Sequence, residues 1–171
     1  MKTKPNTFCL SVLLILCLSG ITITSALAAS AQATVSVKVV RHLSIASKSN
    51  MSFGYLSAST AAGSVVLQQD GSRNPTGGVI LETGGSSTPA SFTAEGEPNA
   101  SFAISLPDAI TMADSDGNLM TVDNFTSSSG NIGTFDGTGR HEMNVGAKLH
   151  VNPNQALGDY TGSMQISVNY N

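Results

Sequence analysis

From Gly158 to Asn171 the chain reads GDYTGSMQISVNYN. Tyr160, Gly162, Met164, Ile166, Val168 and Tyr170 fall on one face of an extended strand. Thr161, Ser163, Gln165, Ser167 and Asn169 fall on the other. Side chains of a strand alternate between its faces, so this period of two marks a half-buried β-strand. Domain ends fray unless they are tied down. An apolar face sustained to the penultimate residue therefore predicts a last strand held in a sheet.

Working outward, the same period recurs. Val145, Ala147, Leu149 and Val151 alternate with Gly146, Lys148 and His150. Phe102, Ile104 and Leu106, Phe92 and Ala94, and Val35, Val37 and Val39 do likewise. The runs Val65-Val66-Leu67 and Val79-Ile80-Leu81 fit strands in a sandwich core. Turn signals separate them: Asp70-Gly71, Gly77-Gly78, Gly84-Gly85, Asp116-Gly117, Ser127 to Gly130, Asp136-Gly137 and Asn152-Pro153. Leu106 to Met112 has room for one helical turn, and no stretch carries a full amphipathic helix. The pattern predicts about nine short strands. The fold class is all-β: an Ig-like, antiparallel, Greek-key β-sandwich over residues 41–171.

Composition agrees. The chain has 171 residues, 11% charged and 5% aromatic, with 17 glycines, no Trp and a formal net charge of −3. Helix-favouring charged residues are too sparse for a bundle or coiled coil. No basic patch offers a footprint for nucleic acid. The hydrophobic fraction of 40% is too high for disorder.

The first residues read as an address. Lys2 and Lys4 precede an apolar run, FCLSVLLILCLSGITI, and Ala26-Leu27-Ala28 supplies small residues for cleavage. This predicts a secretory signal peptide over 1–28, with Ala31-Gln32-Ala33 as the alternative cleavage site. Cys9 and Cys17 leave with it, so the mature chain has no disulfide, no membrane span and a more negative charge. Leu16 stands where a lipobox before Cys17 needs a small residue. Residues 29–40 then form an N-terminal extension whose Ala31, Ala33, Val35, Val37 and Val39 share one face, uncharged until Lys38. One reading makes this strip the first strand of the sandwich. The other makes it a strand given to a neighbouring chain, since exposed β-edges recruit strands through backbone hydrogen bonds.

The C-terminal segment resembles the chaperone-recognition strand of chaperone–usher pilus subunits: an alternating apolar strand, a penultimate aromatic (Tyr170), and a glycine fourteen residues from the end (Gly158). Much of the rest resembles the domain of unknown function 4402 family, secreted β-domain proteins often thought fimbrial. The resemblance rests on Met51-Ser52-Phe53-Gly54, Ala90-x-Phe92-x-Ala94-x-Gly96, Phe102-x-Ile104-x-Leu106-Pro107, Val145-Gly146-Ala147-x-Leu149-x-Val151 and Gly158-x-Tyr160-x-Gly162-x-Met164. The sequence departs from the best-known pilins in lacking their intradomain disulfide. The resemblance implies a sandwich missing its last strand. A periplasmic chaperone completes it first, and after delivery to an outer-membrane usher the N-terminal extension of another copy or a related subunit does so.

The expected donor is then Ala31, Ala33, Val35, Val37 and Val39. The expected acceptor edge is Gly158, Tyr160, Met164, Ile166, Val168 and Tyr170. Burying four or five aliphatic side chains contributes about 6–15 kcal/mol before costs, comparable with the whole stability of a domain, about 5–15 kcal/mol. The expected product is a structural fimbrial subunit on the surface of a Gram-negative bacterium. The rival readings are a self-complete secreted β-sandwich that binds a carbohydrate or surface ligand, and a secreted hydrolase.

Sites for catalysis, cofactors and metals are not expected. His141-Glu142 begins like a zinc-protease helix motif, but Val145 stands where the second His belongs. His42, His141 and His150 have no ligand spacing and read as solvent-facing. Asp114-Ser115-Asp116-Gly117-Asn118 reads as a hairpin turn, with a weak ion site as the alternative: Leu119 replaces the calcium-loop glycine. No nucleophile elbow or phosphate loop occurs.

Overall fold

The computed structural model describes residues 29–171, so the expected signal peptide over 1–28 lies outside the described residues. The folded unit, Lys38–Asn171, is all-β and antiparallel. Ten strands are present: β1 (Ser44–Ser49), β2 (Leu56–Leu67), β3 (Arg73–Leu81), β4 (Ala90–Glu95), β5 (Ser101–Ser105), β6 (Ala109–Ala113), β7 (Leu119–Ser127), β8 (Ile132–Thr134), β9 (Arg140–Val151) and β10 (Ser167–Tyr170). They form a seven-stranded sheet and a three-stranded sheet in a sandwich-like arrangement.

Strand β9 organises the large sheet. Its first half pairs with β4 and its second half with β2, while β7 runs along the opposite side. β1 extends the sheet beyond β4, β3 beyond β2, and β6 beyond β7. In the small sheet β5 lies between β10 and β8. The alternation expected over Val145–Val151 holds: Met143, Val145, Ala147, Leu149 and Val151 are all buried. Gly146 is buried too, because its missing side chain lets the Leu67 carbonyl approach; a Cβ there would lie 2.3 Å from it.

The core has two parts. One lies between the sheets and comprises Ala94, Phe102, Ile104, Phe135 and Met143, with Ile45, Ile166, Val168 and Tyr170 packed against it. Phe102 and Phe135 stack with centroids 4.3 Å apart. The other comprises Phe53, Val65, Leu67, Val79, Met120, Val122, Ala147, Leu149 and Val151.

Five expectations change. Leu106–Met112 makes no helical turn; Ile110 and Met112 alternate with Thr111 in β6. Gly77-Gly78 is not a turn but part of β3, opposite an irregularity between Ala58 and Gly63. There the glycines let β2 and β3 approach closely, since a Cβ on Gly78 would lie 2.1 Å from the Ala61 carbonyl. β3 also carries Pro75, which an edge strand tolerates because no neighbour needs the missing donor. The segment Val35–Val39 is not a half-buried strand: residues 29–43 carry no strand, and Val35 is 94% exposed. Alternation alone makes no strand without a partner to accept its hydrogen bonds.

The fourth change concerns the C-terminal segment. Sequence alternation predicts one continuous strand over Tyr160–Tyr170, but only Ser167–Tyr170 is a strand. The segment changes sheets. Thr161 bridges to Ala113 of β6 at one end, and Ser167 pairs with Ser105 of β5 at the other. The fifth concerns two histidines that are half-buried rather than solvent-facing: His150, whose Nε2 meets Asp123 Oδ1 at 2.9 Å, and His141. One His141 ring nitrogen meets Ser129 Oγ at 2.7 Å, the other the Thr134 carbonyl at 2.8 Å, and the ring packs edge-on against Phe102.

Candidate functional site: an apolar groove beside the C-terminal segment

A cavity of about 1220 Å³ runs between residues 47–58 and residues 155–164. Its floor is Met120, Val122 and Leu149 from β7 and β9, with Ile110 and Met112 from β6. Met51, Phe53 and Leu56 form one wall; Tyr160 and Met164 belong to the other. Met51, Leu56, Ile110, Met112, Phe125, Tyr160 and Met164 are large apolar side chains left only half-buried. Completing their burial is worth a sizeable fraction of the 1.5–3 kcal/mol that a fully buried side chain of this size contributes. The groove is open, and these apolar side chains share its lining with polar groups that include Ser47, Ser49, Asn50, Ser52 and Gln155.

Local sequence explains both walls. Gly158 sits against Asp114, where a Cβ would come within 3.0 Å of the carboxylate. Gly162 sits against β6, where a Cβ would lie 2.9 Å from the Thr111 carbonyl. The two glycines thus let residues 158–162 lie close to β6, fixed by reciprocal 2.9 Å backbone bonds between Ala113 and Thr161. Tyr160 stitches the preceding loop by donating its hydroxyl to the Ala156 carbonyl at 2.9 Å and accepting from Gln155 Nε2 at 2.8 Å. On the opposite wall Arg73 Nη1 donates to the Phe53 and Tyr55 carbonyls at 2.8 and 3.1 Å, pinning that loop to β3.

The expected acceptor residues separate into four groups. Ile166, Val168 and Tyr170 pack on the core between the sheets, Tyr160 packs on the other core cluster, and Met164 lines the groove. Gly158 holds the Asp114 contact. β10 and β1 are each the last strand of their sheet path, so each keeps one edge unpaired among the described residues. The expected donor residues Ala31, Ala33, Val35, Val37 and Val39 are all exposed. Sequence reasoning missed most of the floor and the Leu56 wall. The alternation of Met120 with Val122, and of Met51 with Phe53, is visible in the sequence; their shared cavity is not.

Asp114 shapes the floor, because it closes the β6–β7 hairpin. One carboxylate oxygen accepts from the Asp116 and Asn118 amides at 3.0 and 2.8 Å; the other accepts from Asn118 Nδ2 at 2.7 Å. The side-chain bond from Asn118 is the chief cause that holds this carboxyl below its usual range. The carboxylate of the suspected ion loop is therefore engaged in a turn. Asp136 does the same before β9, lowered chiefly by the Arg140 amide. A lowered folded-state pKa gives stabilisation that is complete above the unfolded value of about 3.9 and lost as pH falls through the folded value. Asp114→Asn should lower Tm at neutral pH, and the gap from the parent should shrink as pH falls below the unfolded value of about 3.9. Thermal melts across pH check this; a gap constant with pH would remove the charge from the explanation.

No curated protein and no solved structure matches the chain. A family model described as "Domain of unknown function (DUF4402)" matches residues 43–170, which span β1 to β10 and both walls of the groove, and the chain belongs to that family.

Proposed function

We propose that this chain is a structural subunit of a bacterial surface fimbria and performs no catalysis. Its sandwich is Ig-like and incomplete, and the N-terminal extension of another copy or a related subunit fills the groove by donor-strand exchange. A periplasmic chaperone occupies the groove first and delivers the subunit to an outer-membrane usher of a Gram-negative cell. The observation that carries this reading is the groove: an open cleft whose floor and walls hold half-buried apolar side chains, beside residues 162–164, which belong to no strand. The exposed valines of the extension have the matching chemistry, with apolar side chains on one face at the spacing of a strand.

Head-to-tail filling of this kind is a heterologous contact and produces open filaments. The cross-check is a pair of purified chains, residues 29–171 and residues 40–171. The first should form SDS-resistant ladders and the second none, while the second should bind a synthetic peptide of residues 29–40. Two equally stable monomers that ignore the peptide would leave a self-complete binding module as the better account.

A further inference from the structure

Four residues distant in sequence meet at the root of the N-terminal extension. The Tyr170 hydroxyl donates to the Arg41 carbonyl at 2.9 Å and accepts from the Glu97 amide at 2.7 Å. The Arg41 amide donates to Glu97 Oε2 at 3.0 Å, and Arg41 Nη1 donates to the Thr138 carbonyl at 2.9 Å. Both backbone polar groups of Arg41, and its side chain, are thereby engaged. Gly96 and Gly139 make room: a Cβ on Gly96 would lie 2.6 Å from the Tyr170 hydroxyl, and one on Gly139 2.5 Å from Arg41 Nη1. The Tyr170 ring packs edge-on against Phe135 of the core.

The position of this cluster matters because β1 begins three residues later and its outer edge is unpaired. An extension joined directly to β1 has a competing option, folding back as a hairpin on its own β1. A short tether confers an effective concentration in the millimolar range, about a thousandfold above a micromolar second copy. Without a restraint, self-pairing therefore wins. A fold-back needs a tight turn within Val40–Leu43. Two-residue hairpin turns require positive φ and favour Gly or Asn. Val40-Arg41-His42-Leu43 offers neither, and the only non-glycine residues with positive φ among those described are Asn99, Asn124 and Asn154.

We propose that Arg41, held by Tyr170, Glu97 and Thr138, is a positioning residue that prevents the extension from closing onto its own domain and so keeps it available to a second copy. This rests on the donor-strand reading above. It also gives Tyr170 a role within its own chain, apart from recognition by a chaperone.

The test uses the mature chain and two variants. Tyr170→Phe keeps the ring on Phe135 and removes both hydroxyl bonds; the other variant, Val40→Asn with Arg41→Gly, removes the guanidinium bond to the Thr138 carbonyl and supplies a turn. Each is examined by size-exclusion chromatography at about 10 µM, by circular dichroism and by binding of a labelled 29–40 peptide. The turn-bearing variant should become mostly monomeric, retain its sheet signal and bind peptide at least about tenfold more weakly than residues 40–171, as the tether advantage requires. Tyr170→Phe should shift in the same direction by a smaller factor. Variants that polymerise like the parent overturn the proposal, as do folded monomers that still take the peptide or two variants that both fail to fold. A parent chain that neither polymerises nor, when shortened to residues 40–171, binds peptide overturns the donor-strand reading itself, and this inference with it.

Discussion

Joining a second copy of residues 29–40 after Asn171 through a flexible linker should raise Tm by about 10 °C or more and yield a monomer. A Gly/Ser linker of about 12 residues reaches roughly 40 Å when extended, enough to return along a domain of this size. Three valines moving from solvent to a buried groove contribute about 5–8 kcal/mol. Fuller burial of Met51, Leu56, Ile110, Met112, Phe125 and Met164 adds to this. Ordering the backbone of Val35–Val39, the part that carries the valines, at about 1–2 kcal/mol per residue, offsets most of the gain. A net surplus of about 3 kcal/mol corresponds to roughly 10 °C for a domain of this length. Hydrogen exchange supplies the local readout. Amides of residues 162–164, which belong to no strand in the single chain, should gain protection when a strand lies beside them. An unchanged Tm together with unprotected amides would mean that the groove is not a strand site.

Much of this arrangement is legible in the sequence, for a physical reason. Strands buried on one face must alternate, so β9, β5 and the face running from Met164 to Tyr170 announce themselves by composition alone. Residues 164, 166, 168 and 170 are half-buried and the residues between them exposed, as the alternation requires. Alternation does not say which sheet a strand joins. The crossing of residues 158–170 from β6 to β5 depends on Gly158 and Gly162 meeting Asp114 and Thr111, partners 44 and 51 residues away in sequence. Gly77-Gly78 misleads for a related reason. A glycine pair signals a turn when it bends the chain, and a close strand approach when it does not, and the choice lies with the partner strand.

The Arg41 cluster had no signal of this kind. Arg41, Glu97, Thr138 and Tyr170 share no motif or spacing, and two of the acceptors are backbone carbonyls, which every residue has. Low charge makes such a site harder to see, since no excess of acid or base marks it. The penultimate tyrosine was legible as an unusual residue; its bonds to the chain's own N-terminal region were not. The same limit applies to the groove, where Met120, Val122 and Leu149 look like ordinary core residues until the open wall beside them is known.

Val37→Asp should abolish assembly and leave the single domain as stable as the parent. Val37 is 88% exposed, so the substitution removes no contact inside the folded unit. Placed in the groove of a second copy, the short carboxylate has no route back to water, unlike a longer Lys or Arg that can extend its charge outward. Burying an unpaired charge costs several kcal/mol. A penalty of about 4 kcal/mol weakens association by roughly a thousandfold. Ser36→Asp is the sharper control. It adds the same charge one residue away, on the face that a donated strand turns towards solvent, so assembly should persist. Sedimentation of the two variants, with thermal melts of each monomer, separates face from charge. Equal loss in both would assign the effect to electrostatic repulsion along the extension and remove the case for a one-faced donor strand. Equal retention would remove Val37 from the groove altogether.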